Sequence, residues 1–412
     1  MRRFYILLGL GIFILFSGLA TGFALYYRLV VLVGLLLIVA FAWSYLSLRK
    51  VRLTYERTAS RVQVGDVIET RVKLTNDGPF PVFGLEVRDL LELPGPASGR
   101  VLHVGPGQTK EVLLRGVATR RGIYSLKGPA VMSVDPFGIV RRVKRDSETF
   151  ELVVYPAAEL IPDFVASYVE LTGDGGFRRT SYEMVGTVSS IREYHPGDSF
   201  KYVHWKSSAR LGDLMVKQFD GGQEKRMWVL MDLDGKAQAG DGPESTEEYI
   251  VTVAASVVDR YIGLDWSVGL AGQGEQFHLL WPQQGPSARE QAMRLLASVR
   301  AQGEAPLTSA LTTISQIVSS PPSTVILITS SLDPSWQSEV AGLRRFGNAA
   351  MVVLVDPASF GGKGETKPMV ASLMAAGVPT FVVSKGKSIA KQLEAEAGVQ
   401  EGLLARGRRN GA

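Results

Sequence analysis

The stretch Met-Trp-Val-Leu-Met-Asp-Leu-Asp at Met227–Asp234 decides the fold class of the C-terminal half of the chain. Five consecutive apolar residues are followed by two acidic residues that flank Leu233. An uninterrupted apolar run of this length is typical of a strand that is buried on both faces, as in a parallel sheet. We therefore expect such a strand here, with Asp232 and Asp234 at its carboxyl end.

Similar apolar runs alternate with amphipathic segments throughout residues 226–400. The alternation predicts an α/β domain with a doubly wound, mostly parallel sheet. The predicted strands are Met227–Leu233, Trp266–Leu270, Phe277–Trp281, Val325–Thr329, Met351–Val355 and Thr380–Val383. The predicted helices are Ser245–Ile262, Ala288–Ala301, Leu307–Val318, Ser335–Phe346, Pro368–Ala376 and Ser388–Ala397. Ligands of such sheets bind at the carboxyl ends of strands, so the ends of the first and fourth strands are the candidate site.

Residues 51–160 have a different periodicity, which predicts a β-sandwich-like domain. Between Ile68 and Thr75, apolar residues and Thr70 alternate with polar ones, the pattern of a half-buried strand. Turn-forming residues follow at Asn76–Pro79. Further short strands are expected at Gly84–Leu90, Lys110–Val117, Ile139–Val143 and Leu152–Tyr155. No motif in this region indicates chemistry, and a spacer or packing role is expected.

Residues 1–50 contain two long apolar runs, Phe4–Ala20 and Leu29–Leu48, with a short turn predicted between them at Thr21–Arg28. About 20 apolar residues suffice to cross the hydrocarbon core of a bilayer, so each run is expected to form one transmembrane helix. The alternative is a cleaved signal peptide, with a weak cleavage site at Ser17–Ala20, followed by a single span.

The basic residues around these runs predict the orientation. Arg2 and Arg3 precede the first run, and Arg49 and Lys50 follow the second. By the positive-inside bias, both ends of the helical pair face the cytoplasm, and the rest of the chain stays there. The predicted location is the cell membrane, with the bulk of the chain cytoplasmic.

The composition excludes several classes of protein. The 412 residues include no cysteine, which excludes a disulfide framework, thiolate metal sites and a cysteine nucleophile. The net charge is +5, and much of the basic excess lies beside the apolar N-terminus. This placement indicates membrane flanking rather than nucleic-acid binding. Residues 401–412 are expected to form a flexible tail.

Three separated motifs indicate a family. The first comprises Arg121–Tyr124, Gly128-Pro129 and Asp135–Gly138; the second is Val154–Pro156; the third comprises Ile191–Asp198, Val203–Arg210 and Leu214–Val216. In this order they resemble the family catalogued as domain of unknown function number fifty-eight, and the resemblance covers the whole chain. It implies a bacterial or archaeal membrane protein with a von Willebrand A-like domain. It also implies genetic association with MoxR-type AAA+ ATPases and transglutaminase-like membrane proteins.

Residues 161–225 hold the third motif, for which two interpretations remain open. Pro196-Gly197-Asp198 predicts a turn, and Asp198 is a candidate helix N-cap. The arginines of the motif suit an acidic partner, which would make it a partner-binding site. In the other interpretation Trp205 packs in a core and an arginine pairs with an acid, forming a structural clasp. The candidate partner-binding residues are Arg192, Tyr194, Asp198, Trp205 and Arg210.

The loop after the first α/β strand raises the question of a metal site. The family resemblance implies a Mg²⁺ site of the D-x-S-x-S type, completed by a threonine and a later aspartate. Here Asp234 and Lys236 replace the two serines, Ala305 stands near the threonine position, and Asp333 is displaced. These departures predict a metal-free loop in which Lys236 pairs with an acid. The candidate metal ligands, should Mg²⁺ bind, are Asp232, Asp234 and Asp333.

The sequence therefore predicts a membrane-anchored scaffold or partner-binding protein without a cofactor, and not an enzyme. The resemblance implies that it works with a MoxR-type AAA+ ATPase in the assembly or maturation of protein complexes. Two alternatives remain, a membrane-bound hydrolase that uses the acidic edge with a metal, and a purely structural envelope protein.

Overall fold

The computed structural model describes residues 2–57, 60–88, 99–135, 137–145, 148–164, 188–194, 203–219, 225–318, 323–345 and 348–396. The chain forms two compact units, Met1–Tyr155 and Pro156–Ala412. Two apolar N-terminal helices precede a series of sheets and helices, which confirms the predicted fold class at this level.

The first unit begins with helices α1 (Arg2–Thr21) and α2 (Ala24–Arg49). Both are long and apolar enough to span a membrane, and helices of this kind near an N-terminus also occur as signal sequences. The connection between them is shorter than predicted, because Gly22, at φ +68°, turns the chain and the helix resumes at Ala24.

Ten strands follow in the first unit: β1 (Val51–Arg57), β2 (Arg61–Gln63), β3 (Val67–Asn76), β4 (Val82–Arg88), β5 (Gly99–Val104), β6 (Thr109–Val117), β7 (Gly122–Lys127), β8 (Ala130–Val134), β9 (Arg141–Arg145) and β10 (Thr149–Tyr155). They form three sheets with the orders β1-β3-β6, β5-β4-β8-β9 and β2-β10-β7. The alternation predicted around Ile68–Thr75 is confirmed, since Ile68, Thr70, Val72 and Leu74 are all buried in β3.

The first two of these sheets share one apolar core. Val72 and Leu74 of β3 pack in it with Leu85 and Val87 of β4. Leu48, from the last turn of α2, belongs to the same core. The end of α2 is thus part of the folded β-domain.

The second unit contains the elements β11 (Val188–Glu193), α3 (Trp205–Leu211), β12 (Met215–Phe219), β13 (Arg226–Asp232), α4 (Thr246–Ile262), β14 (Ser267–Gln273), β15 (Phe277–Gln283), α5 (Gly285–Ser298), α6 (Leu307–Val318), β16 (Thr324–Thr329), α7 (Gln337–Arg345), β17 (Ala349–Val355), α8 (Thr366–Ala375) and β18 (Thr380–Val383). The six strands from β13 to β18 form one sheet in the order β15-β14-β13-β16-β17-β18. Every pairing in it is parallel except β14 with β15.

Helices cover both faces of this sheet, as the alternation of strands and helices predicts. Trp228 and Leu230 of β13 face one side, where α6, α7 and α8 pack in a common core. Neighbouring residues of β13 point to the other side, where α4 lies against β13, β14 and β16. All residues of β16 and β17 are buried, which explains why their sequences are uninterrupted apolar runs.

Residues 156–164 lead from the first unit into the second and pack on the α/β domain. Phe164 is fully buried and its ring meets the rings of Tyr261 and Phe381 edge to face. Tyr261 donates a hydrogen bond to Asp163 at 3.1 Å, and Glu159 accepts one from Ser388 at 2.7 Å. These contacts fix this segment on the sheet's flank.

Candidate functional site

The candidate site lies at the carboxyl ends of β13 and β16. The chain leaves β13 through α4 to reach β14 on one side, whereas β16 lies on the other side of β13. Connections that diverge from neighbouring strands leave a crevice between them, and ligands of open α/β sheets bind there. The predicted position of the site is thus a real topological switch point.

The centre of this edge is the pair formed by Asp232 and Thr329, the last residues of β13 and β16. Thr329 Oγ1 donates to Asp232 Oδ2 at 2.6 Å, and the Asp234 N–H donates to Asp232 Oδ1 at 3.2 Å. Both side chains are buried, with 2% and 0% of their surfaces exposed. Burial raises the pKa of Asp232 to about 6, although the Thr329 hydroxyl acts in the opposite direction.

The other two predicted acids are engaged in local turns. Asp234 Oδ1 accepts the Lys236 N–H at 2.9 Å. Asp333 is exposed and accepts both the N–H of Ser335, at 3.0 Å, and its hydroxyl, at 2.8 Å. The backbone hydrogen bond, followed by that from the hydroxyl, lowers the pKa of Asp333. Each carboxylate thus caps the turn that follows it.

The predicted salt bridge of Lys236 is therefore corrected, whereas the three candidate metal ligands stay a prediction. Among the described residues, Asp232, Asp234 and Asp333 do not form a group that could hold a metal ion. In the same part of the chain no ion pair joins Lys236 to any of the three acids. The physical reason is that backbone N–H groups and hydroxyls satisfy the carboxylates without a cation.

A hydrogen-bond network that the sequence did not indicate joins the loop after β13 to its neighbours. The Gln238 amide donates to the carbonyl oxygens of Asp232, at 3.3 Å, and Asp234, at 3.1 Å. Thr246, at the start of α4, donates to Gln238 Oε1 at 2.7 Å. Ser330, directly after β16, donates to the Ala237 carbonyl at 2.8 Å. Gln238 has no sequence signal, because its role depends on which loops meet in space.

Above this network lies a cleft of about 410 Å³, a volume within the range of small-molecule sites. Its wall combines the loops after β13, β16 and β17 with the start of α6. The polar and charged lining residues are Asp234, Lys236, Gln238, Thr308, Ser330, Ser331, Asp333, Ser335 and Lys363. Asp232 lies beneath the cleft rather than on its wall. Thr308 lines it three residues beyond Ala305, which stands near the expected threonine position.

The second candidate region, around the third motif, is only partly described. β11 and β12 pair antiparallel, with α3 between them in the chain. Arg192 lies in β11 opposite Val216, and the Tyr194 N–H donates to the Leu214 carbonyl at 2.8 Å. Asp198 lies outside the described residues.

The structure corrects the clasp interpretation for Trp205, which is 66% exposed at the first position of α3. The N-cap of α3 is His204, whose Nδ1 accepts the Ser207 N–H at 3.2 Å. Arg210, near the other end of α3, is also exposed. A short helix with these two exposed side chains presents a surface rather than a core contact.

Comparison with known proteins gives distant relatives. The uncharacterized protein YeaD of Bacillus subtilis (strain 168) is 24% identical over 257 residues, which cover 61% of this chain. The chain spans about 63% of the length of that curated relative. Among solved structures, the CARDB domain of the PF1109 protein of Pyrococcus furiosus is 21% identical, covering 25% of this chain and 91% of that one, with a TM-score of 0.19. Proximal thread matrix protein 1 of the mussel byssus is 14% identical, covering 42% and 47%, with a TM-score of 0.32.

A family model matches the part of the chain that carries the third motif and most of the α/β sheet. The match begins inside β11 and ends after β17, and so includes Asp232, Thr329 and most of the residues that line the cleft, although not Gly362 and Lys363. It confirms the predicted resemblance for this part of the chain: residues 190–360 match the family described as protein of unknown function DUF58.

Proposed function

We propose that this chain is a membrane-anchored partner-binding protein whose von Willebrand A-like α/β domain binds another protein through the cleft above Asp232 and Thr329. The observation that carries the proposal is the cleft itself. It lies at the switch point of the sheet, has a polar rim, and rests on hydrogen-bonded turns that hold the rim in place.

The strand order supports the von Willebrand A-like assignment. In order of appearance within this sheet, the strands are arranged 3-2-1-4-5-6, and the third is the antiparallel one. This is the arrangement of doubly wound dinucleotide-binding sheets, apart from that antiparallel edge. The loop Asp232–Lys236 occupies the place where von Willebrand A domains hold their metal-binding loop, according to the family resemblance.

The end of α2 supports a permanent anchor. Leu48 packs in the core of the β-domain, and Ser44 and Ser47 on the same side of the helix are buried. A cleavage near Ala20 would remove α1 and leave α2 attached to the domain. Arg49 and Lys50 at the end of α2 favour the cytoplasm as the location of everything that follows.

The residues at the rim of the cleft favour binding of a protein partner over catalysis. Its carboxylates at Asp234 and Asp333 are committed to turns, whereas Lys236 and Lys363 extend exposed ammonium groups at two sides of the cleft. Cations on a polar rim favour an acidic partner surface. The resemblance to the DUF58 family supplies the class of partner, a MoxR-type AAA+ ATPase.

The test measures binding between the full chain in lipid nanodiscs and the purified MoxR-type AAA+ ATPase of the same organism. The double variant Lys236→Glu/Lys363→Glu reverses both rim charges, and we expect it to weaken the dissociation constant at least about tenfold, or about 1.4 kcal/mol. The matched control, Lys367→Glu/Lys391→Glu, reverses two exposed lysines that do not line the cleft, and should bind within about twofold of the wild type.

Equal weakening by both double variants would show a general charge effect and reject the cleft as the contact. If the rim variant binds with the dissociation constant of the wild type, the cleft is also rejected as the contact. Failure of the wild type itself to bind would reject the AAA+ ATPase as the partner while leaving the membrane anchor to be tested separately.

A further inference from the structure

An apolar pocket of about 450 Å³ lies where α2 meets the β-domain. On one side it is lined by Trp43 and Leu46 of α2, and on the other by Phe80 of the β3–β4 loop and Phe83 of β4. Phe80 is 75% exposed, Leu46 is 62% exposed and Phe83 is 48% exposed. Apolar side chains gathered in this way beside a candidate membrane helix need a covering surface.

Hydrogen bonds fix the β3–β4 loop beside the C-terminal end of α2. Asn76, which is buried, donates from Nδ2 to the carbonyl oxygens of Phe80, at 2.8 Å, and Val104, at 3.2 Å. The Asp77 N–H donates to the carbonyl of Lys50 at 2.9 Å, so the loop is tied to the residue that follows α2. Phe80 therefore stays near the helix end rather than swinging free.

A basic edge strand lies on α2 as well. β9 has the sequence Arg-Arg-Val-Lys-Arg and forms the edge of its sheet. Lys144 donates to the Val51 carbonyl at 2.6 Å, just beyond α2, whereas the Arg142 guanidinium lies 4.7 Å from the ring centre of Tyr45, inside α2. β9 thus runs along α2, and Arg142 lies closer than Lys144 to the apolar part of the helix.

The turn between β8 and β9 continues in that direction. Asp135 fixes the turn by accepting the N–H groups of Phe137, at 2.9 Å, and Val140, at 2.5 Å. Gly138 adopts φ +67°, which the turn requires. Phe137 at the tip is 54% exposed. Asp135, Phe137 and Gly138 of the first motif therefore belong to a hydrogen-bonded turn with an exposed aromatic ring.

We propose that the β-domain docks on the bilayer through a juxtamembrane surface formed by Phe80, Phe83 and Phe137 with Arg141 and Arg142, and that its ligand is anionic phospholipid. The aromatic rings enter the region between headgroups and acyl chains, and the arginines bind lipid phosphates. The proposal rests on the membrane anchor of the proposed function.

The dimensions of α2 agree with this placement. Its 26 residues extend about 39 Å, which exceeds the ~30 Å hydrocarbon core of a bilayer. The last turns, from Trp43 to Arg49, then lie at the interface, where tryptophan and tyrosine side chains are enriched. Arginines at that depth attract the anionic lipids of the cytoplasmic leaflet.

The absence of cysteine from the sequence permits a direct test by site-directed spin labelling of the full chain. Nitroxides are placed by Phe80→Cys or Phe137→Cys in vesicles of phosphatidylcholine with about one third phosphatidylserine. Accessibility to oxygen, compared with accessibility to a water-soluble nickel complex, measures the depth of each label. Both labels should lie within the bilayer interface.

Two further labels make the outcomes distinct. Ile123→Cys, an exposed apolar position in β7 that does not line the pocket, should report water. Leu35→Cys, an exposed position in the middle of α2, should report the bilayer interior. Interior values at Leu35 together with aqueous values at Phe80 and Phe137 would overturn the docking proposal alone. Aqueous values at Leu35 would overturn the anchor, and the docking proposal with it.

The lipid specificity is tested by charge reversal and lipid composition. Arg141→Glu reverses the charge of an exposed side chain at the end of β9 beside the turn, and should move the Phe137 label outward in vesicles that contain phosphatidylserine. In vesicles of phosphatidylcholine alone, the Phe137 label should also lie further out, even when the arginine is not replaced. Depth that is unchanged by both treatments would overturn the role of anionic lipid.

Discussion

Thr329 Oγ1 lies 2.6 Å from Asp232 Oδ2, and this hydrogen bond joins the carboxyl ends of two neighbouring parallel strands, β13 and β16. The acid is 2% exposed and the threonine fully buried. A buried carboxylate is stabilised only by the donors around it, because water cannot reach it. The pair therefore holds the ends of two strands together beneath the candidate cleft.

The stability of the α/β domain should depend on pH through Asp232. Burial raises the pKa of this carboxyl from 3.8 to about 6, which corresponds to about 3 kcal/mol in favour of the protonated folded state. Because the folded-state pKa is the higher one, this stabilisation is fully present below about pH 4 and is lost as the pH rises through about 6. Asp232→Asn, which cannot ionise, should flatten that part of the profile. Thermal unfolding between pH 4 and 7 in detergent measures the difference; parallel profiles for the two proteins would contradict it.

Removal of the donor should make the stability fall more steeply as the pH rises. Thr329→Val keeps the shape of the side chain but leaves Asp232 without its hydroxyl partner. We expect a loss of about 1–3 kcal/mol, larger at pH 7, where the carboxylate is ionised, than at pH 4.5. Tryptophan fluorescence is a suitable probe of unfolding, since five of the six tryptophans belong to the unit Pro156–Ala412. An equal loss at both pH values would show that only packing is affected.

Gly303 should not tolerate a side chain. A Cβ there would lie 2.8–3.0 Å from backbone atoms of Gly274, which are fixed beside the loop after β13. Gly303→Ala should therefore destabilise the fold by about 1–3 kcal/mol. The matched control is Gly342→Ala in α7, where a Cβ meets nothing within 4 Å and helix propensity predicts a gain of about 0.5–1 kcal/mol. Chemical denaturation measures the free energy of unfolding of both variants. An unchanged value for Gly303→Ala would show that the two loops can move apart.

Trp205 should contribute little to stability. Its side chain is 66% exposed, so Trp205→Ala is expected to change the free energy of unfolding by less than about 0.5 kcal/mol. Trp336, with 1% of its surface exposed in the core beneath α7, provides the contrast, and Trp336→Ala should cost about 3–5 kcal/mol. A large loss from Trp205→Ala would restore the structural clasp.

Divalent cations should not stabilise the chain through the acidic edge. The carboxylates of Asp234 and Asp333 already accept hydrogen bonds from their own turns, and that of Asp232 is buried beneath the cleft. Millimolar Mg²⁺ or Mn²⁺ should therefore leave the melting temperature of the full chain unchanged, since any ligand specific for the folded state would raise it. An increase that disappears in Asp232→Ala would reinstate the metal-dependent hydrolase.

The sequence was informative wherever the period of burial matches the period of a regular element. Val325–Thr329 was predicted as a buried strand because every side chain of β16 is enclosed, and Leu307–Val318 coincides with α6 residue for residue. Local turn chemistry was also readable, as in the segment that follows Asn76. The position of the site followed from topology, since strand ends in a parallel sheet meet at one edge.

The arrangement of side chains at that edge could not be read in the same way. Two acids in the loop after β13 and one after β16 were candidate ligands, but whether carboxylates converge depends on where their turns direct them. The same limitation applied to Trp205, whose burial depends on what packs against α3.

What the sequence by itself determined is the helical pair, the β-domain and the alternating α/β unit, because hydrophobic periodicity is a local property of the chain. Only the tertiary structure decided that Thr329 holds Asp232, that Gln238 joins the loops under the cleft, and that the end of α2 belongs to the core of the β-domain. Those contacts join residues far apart in the chain, and their energies depend on distance and burial that no local pattern encodes.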